Sequence, residues 1–204
     1  MAAASEAPRH DRPAVYHAAQ KRAPRALFLA ALELLGEEPH GRQAIDLGCG
    51  NGVDTLHLLE KGWRVHAVDE RPEAIARTTA RVPPALRDEL SSEVAPFERA
   101  TLPAADFIYA GVSLPFCKPE HFGAVWAGVR DALMPGGRFA GHLLGPHDDW
   151  APQAGVCSFA RAEVLALVSG LQVERLVEVD EEGPSRLGPK HWHLFELILR
   201  QPAG

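Results

Sequence analysis

The stretch that decides the fold is "AIDLGCGNGVDTL", residues 44–56. An apolar run enters Gly48, Gly50 and Gly52, and a helical pattern starts at once in "GVDTLHLLEKG" (52–62). Strand, glycine turn and helix in that order form a cradle. Glycines let the backbone turn sharply and approach a ligand without a Cβ in the way. The helix start offers unpaired N–H groups to that ligand. Such a loop holds a nucleotide-like molecule at the carboxyl ends of parallel strands.

The spacing narrows the ligand. A dinucleotide loop reads G-x-G-x-x-G, whereas here the pattern is G-x-G-x-G and Val53 stands at the third-glycine position. Asp46 precedes the first glycine by two residues. A carboxylate there repels a pyrophosphate and suits a cation or an ammonium group. The next strand, "WRVHAVD" (63–69), ends in Asp69, 21 residues after Gly48. An acid at that place accepts hydrogen bonds from a ribose diol. It could equally cap the helix that begins near Arg71. Glu98 is read as the end of a third strand, "EVAPFE" (93–98), with a solvated loop carboxylate as the other reading.

Outward from the loop, helices and strands alternate. Helices are expected over 71–82, 119–137 and 159–170, and strands over 42–48, 105–111 and 138–145. Residues 14–35 read as a helical cap broken at Pro24, with Leu27, Ala31, Leu34 and Leu35 as its apolar stripe. The first 13 residues, rich in Ala, Pro and charge, read as disordered. Alternation of this kind gives a mostly parallel sheet with helices on both faces, a three-layer α-β-α sandwich. The end departs from it: strands at 171–181 and 191–200 are joined by the polar "EGPSRLGPK" with no helix, which implies an antiparallel finish.

The chain of 204 residues, 46% hydrophobic, suits one domain over 14–204. Its net charge of -6 gives no long-range pull on phosphate backbones, so nucleic acid is not an expected partner. Cys49, Cys117 and Cys157 are odd in number and widely spaced, which fits a reducing compartment. No window approaches the roughly 20 apolar residues of a membrane span. A soluble, cytoplasmic protein is the expectation; oligomeric state is left open.

"IDLGCGNG" with the strand-terminal Asp69 resembles the class I S-adenosylmethionine-dependent methyltransferases, over about Arg42 to Arg200. In size and pattern the chain looks like small bacterial members of the tellurite-resistance and thiopurine type. The resemblance implies a Rossmann-like seven-stranded sheet of order 3-2-1-4-5-7-6 with strand 7 antiparallel. It implies S-adenosyl-L-methionine as cofactor, with Gly48, Gly50 and Asn51 along the methionine moiety and Asp46 near its ammonium group. Asp69 would take the ribose and Glu98 the adenine. It implies methyl transfer to a small-molecule acceptor by in-line displacement. Two alternatives stand beside it: an NAD-dependent oxidoreductase, and a non-catalytic nucleoside-binding protein of the same fold.

Four distant segments should meet above the methyl group. "SLPF" (113–116) partly matches a motif in which a polar residue, two prolines and an aromatic hold a target nitrogen, but Leu114 replaces the first proline. Ser113, Phe116 and Trp150 are therefore candidate substrate contacts, with a structured loop as the plainer reading. His147, in "HDDW" (147–150), and His191 and His193, in "KHWH" (190–193), are candidate general bases, since an imidazole titrates near neutrality. His-x-His is also a metal spacing, but no partner stands at a recognisable zinc spacing, and no metal is expected.

Overall fold

The structure, a computed structural model, describes residues 23–36, 41–185 and 188–203. The segment read as disordered, and residues 14–22 of the helical cap, lie outside the described residues. Seven strands form one sheet: β1 (Gln43–Leu47), β2 (Arg64–Asp69), β3 (Leu90–Val94), β4 (Ala105–Ala110), β5 (Leu133–Leu144), β6 (Gln172–Ser185) and β7 (Gly188–Arg200). Their order is β3-β2-β1-β4-β5-β7-β6, the order the resemblance implies. β1 to β5 pair in parallel, and β7 runs antiparallel to both β5 and β6.

The helices α1 (Ala26–Leu35), α2 (Val53–Glu60), α3 (Pro72–Arg81), α4 (Pro119–Ala132) and α5 (Arg161–Leu167) connect or cover these strands. Two apolar layers hold the sandwich. On one face Phe28, Leu58, Trp63, Phe107 and Tyr109 join α1 and α2 to the sheet. On the other, Trp126, Val164, Ile108, Phe139 and Phe195 join α4 and α5 to it. Both Trp63 and Trp126 are core residues, and the Trp126 indole donates to Leu167 O at 2.9 Å. The described residues contain no helix long and apolar enough to cross a membrane.

Four expectations need correction. The apolar stripe of α1 uses Phe28 rather than Leu34, which is 47% exposed. β3 lies at Leu90–Val94, not 93–98, because Pro96 cannot donate to a ladder; the chain turns instead into a 3-10 helix over Phe97–Arg99. α4 stops at Ala132 rather than Gly137. Pro135 and the glycines exclude further helix, and Leu133 already pairs with Ala105 of β4. Finally, the polar segment between the last two strands is mostly ladder, continuing to Ser185 opposite Gly188. Since β5 pairs with β7 only from Arg138↔Arg200 to Leu144↔Leu194, residues 188–193 pair with β6 alone. They form a two-stranded arm that rises past the carboxyl edge of the parallel strands, and the loop after β5 packs against it.

Candidate functional site

The glycine loop is tied to β2 at three points. Gly48 and Cys49 N–H donate to Val68 O at 2.8 and 3.0 Å, and Gly50 N–H donates to Asp69 Oδ2 at 2.9 Å. Asp69 Oδ1 accepts from Arg71 N–H at 3.0 Å. Asp69 thus caps the turn into α3 and anchors the loop with one carboxylate. The glycines divide by role. A Cβ on Gly48 would fall 2.4 Å from Ser113 Cβ, and one on Gly52 2.8 Å from the Thr78 backbone, so these two are needed for close packing. Gly50 has φ +58 and nothing within 4 Å of a built Cβ. That side of Gly50 is open space. Beneath the loop, Asp46 is 2% exposed and accepts from Thr55 Oγ1 of α2 at 2.6 Å. The Asn51 carbonyl accepts from Arg81 Nε at 2.7 Å.

β4 delivers the next wall. Val112, a β-branched residue at φ 57, follows it. Such a conformation costs of order 1–3 kcal/mol and persists only where neighbours fix it. One of those neighbours is Ser113, whose hydroxyl donates to Leu47 O at 2.5 Å. Through that bond the Ser113 hydroxyl stitches β4 to the glycine loop, and its oxygen keeps its capacity to accept. Phe97 comes to the same spot, with Cζ 3.4 Å from a Cβ built on Gly48. The Phe116 ring lies 5.8 Å from Trp150, and Trp150 meets Trp192 edge-on at 5.3 Å.

Lys190 places its ammonium over both indoles, 4.1 Å from the Trp150 ring and 4.3 Å from Trp192. The same ammonium forms a buried ion pair with Asp148. Asp148 also accepts from Trp150 N–H at 2.9 Å and His193 N–H at 3.1 Å. Together with Asp149, whose carboxylate accepts from His191 N–H at 2.9 Å, it fixes the loop after β5 onto the arm. Neither the Asp148–Lys190 pair nor Phe97 was visible as a contact in the sequence. "HDDW" and "KHWH" each carry half of the pair, but only the arm brings them together.

The three histidines converge, though on carboxylates. His147 Nδ1 lies 2.9 Å from Asp180 Oδ2, and His191 Nε2 2.7 Å from Asp180 Oδ1. His191 Nδ1 lies 3.0 Å from Glu182, and His193 Nε2 3.1 Å from Glu178. Hydrogen bonds from His147 and then His191 pull the Asp180 carboxyl down to about 2. Asp180 and then Glu182 raise His191. Arg161 first and His193 second lower Glu178. By strand alternation His191 and His193 share one face of β7, while Lys190 and Trp192 share the other. The aromatic group with Phe116 and Trp150 is thus across the arm from these imidazoles.

Glu98 does not end a strand. It sits on the 3-10 turn, 4.0 Å from His121 of α4, and lines a groove of about 380 Å3 with Leu102 and Val125. Burial, then Asp46, pushes the Cys49 thiol well above its usual range, and burial pushes Cys117 to about 12 and Cys157 to about 11, which disfavours the thiolate in each.

Sheet order, glycine loop and strand-terminal acid define the class I methyltransferase fold. More particularly, residues 44–137 match the family model described as a methyltransferase domain, and that domain holds the loop, Asp69 and α4. The chain is 33% identical over 109 residues to an uncharacterized methyltransferase, sll0829, of Synechocystis, covering 53% of this chain and 50% of that one. It thus spans about half the length of that curated relative. The crystal structure of TehB from Haemophilus influenzae superposes with a TM-score of 0.74 at 19% identity, covering 89% of this chain and 63% of TehB. N-methyltransferase NodS from Bradyrhizobium japonicum, in complex with S-adenosyl-L-homocysteine, superposes with a TM-score of 0.67 at 18% identity, covering 86% of this chain and 84% of NodS.

Proposed function

We propose that the chain is an S-adenosylmethionine-dependent methyltransferase acting on a small-molecule acceptor. The observation that carries this reading is the loop at Gly50, which is open above its backbone and anchored from below by Asp69. The carboxylate of Asp46 under the loop gives the cradle a negative potential, which suits a sulfonium and an ammonium and opposes the pyrophosphate of NAD. NodS, of the same fold, is solved with S-adenosyl-L-homocysteine.

When bound, the cofactor supplies a methyl group already activated on a sulfonium. The residues of the chain then have three tasks. Gly48, Gly50 and Asn51 line the methionine moiety, and Asp69 takes the ribose from the end of β2. Phe97 and the Ser113 turn close the cleft between β1 and β4. Phe116 and Trp150 form an apolar wall that excludes water and holds the acceptor in line with the methyl carbon. No general base is assigned, because His191 and His193 lie on the face of the arm opposite Trp192, Trp150 and Phe116, and His147 is turned to Asp180 on that same far face. An acceptor whose nucleophile is unprotonated near neutrality needs none.

Calorimetric titration tests this reading. S-adenosylmethionine should bind and NAD should not, and Asp69→Ala should weaken binding by roughly 1–3 kcal/mol for loss of charge-assisted hydrogen bonds. Binding of NAD in preference, or unchanged affinity in the variant, would overturn it.

A further inference from the structure

We propose that His147, Asp180 and His193 bind a divalent transition-metal ion of the zinc type, which staples the loop after β5 to the β6–β7 arm. The three side chains come from three separate segments, and one ligand atom from each lies within 4.8 Å of the other two. A tetrahedral zinc ion with ligands at about 2.0–2.1 Å needs them roughly 3.3 Å apart. The closure needed is small, and the residues that must move are free to do so. The side chain of His147 is 66% exposed and that of Asp180 40%, whereas that of His193 is 4% exposed and fixed.

The surroundings supply what a metal-bound imidazole requires. A ligating histidine commonly donates its other ring N–H to a carboxylate, which fixes the tautomer and raises ligand basicity. Here Glu178 stands 3.1 Å from His193 Nε2. That leaves Nδ1 as the ligand atom, and its present partner is only the His147 backbone N–H at 3.2 Å, on the exposed loop. His191, 2.7 Å from the second oxygen of Asp180, orients that carboxylate from the far side. Two imidazoles and one carboxylate select a borderline ion such as Zn2+ over Mg2+, which prefers an all-oxygen shell. The fourth position falls to water. The site lies on the face of the arm away from Lys190 and Trp192, so its existence does not depend on the cofactor reading.

The test uses the full chain, free of any affinity tag and stripped with a chelator, titrated with Zn2+ and separately with Mg2+. One equivalent of Zn2+ should bind and raise the melting temperature, and Mg2+ should do neither. His147→Ala and Asp180→Asn, both on exposed positions, should abolish the one-equivalent isotherm and the thermal gain. Both side chains make only exposed hydrogen bonds, so the variants' metal-free melting temperatures should stay close to the wild-type value. Glu178→Gln should weaken binding about 10–100-fold. His121→Ala, remote from the cluster, should change nothing. Absence of one-equivalent Zn2+ binding, or binding that survives both His147→Ala and Asp180→Asn, would overturn the proposal, whatever the outcome for S-adenosylmethionine.

Discussion

Alanine at Gly48 and alanine at Gly50 should fail in different ways, and the pair separates packing from ligand contact. Both positions have positive φ, +86 and +58, where an L side chain costs roughly 1–2 kcal/mol. At Gly48 the new Cβ meets Ser113 Cβ at 2.4 Å and Oγ at 2.9 Å. Ser113 cannot retreat, since it is buried and its hydroxyl is held by Leu47 O. Overpacking of that kind costs about 1–3 kcal/mol more. Gly48→Ala should therefore lose about 2–5 kcal/mol of folding stability, a large share of the 5–15 kcal/mol typical of a domain. At Gly50 no atom lies within 4 Å, so Gly50→Ala should lose only the backbone part, about 1–2 kcal/mol. Its methyl group would stand on the open side, where the methionine moiety is proposed to lie. Urea unfolding gives the stabilities, and calorimetry with S-adenosyl-L-homocysteine gives the affinities. Gly50→Ala should keep most of its stability and lose at least about tenfold in affinity, which is 1.4 kcal/mol. Undiminished affinity in Gly50→Ala, or equal stability of the two variants, would refute this division of roles.

Two further outcomes follow from buried charges. Burial, then Arg25, holds His142 down to about 3, so the folded chain keeps it neutral while the unfolded chain takes a proton below pH 6.5. Stability from this residue is full above pH 6.5 and falls toward pH 3, by about 2 kcal/mol at pH 5, a loss that His142→Leu should remove from urea midpoints compared at pH 7.5 and 5. Asp148→Ala should cost about 3–5 kcal/mol because it strands the Lys190 ammonium in a buried place, whereas adding Lys190→Met should recover part of the loss. Equal stability of the single and double variants would show that the pair is not what holds the loop.

The sheet was legible in the sequence because its signals are local. A strand, three glycines and a helix within "AIDLGCGNGVDTL" fix β1 and α2, and the helix-less final pair fixes the antiparallel end. The errors came where a local signal was present and was outweighed. Pro96 inside "EVAPFE" should have demoted that strand, and with it the strand-end position of Glu98. "MPGG" (134–137) reads as the tail of a helix only until β4 is allowed to pair with Leu133.

The far side of the site was illegible for a different reason: its contacts depend on register. A ladder that runs to Ser185 opposite Gly188 sets His191 against Glu182 and His193 against Asp180. A slip of one residue would turn every one of these side chains to the other face. The pattern was nonetheless written in two places. "EVDEE" (178–182) carries acids at every second residue, Glu178, Asp180 and Glu182, and "HWH" carries imidazoles at the same period. Two period-2 runs of opposite character, one on each arm of a hairpin, can meet on one face only if the polar segment between them is strand. Reading that segment as a loop hid the convergence of the two runs on one face. The residue that completes the group, His147, enters because Asp148, Asp149 and Gly145 bind the loop after β5 to Lys190, His191 and His193 of the arm.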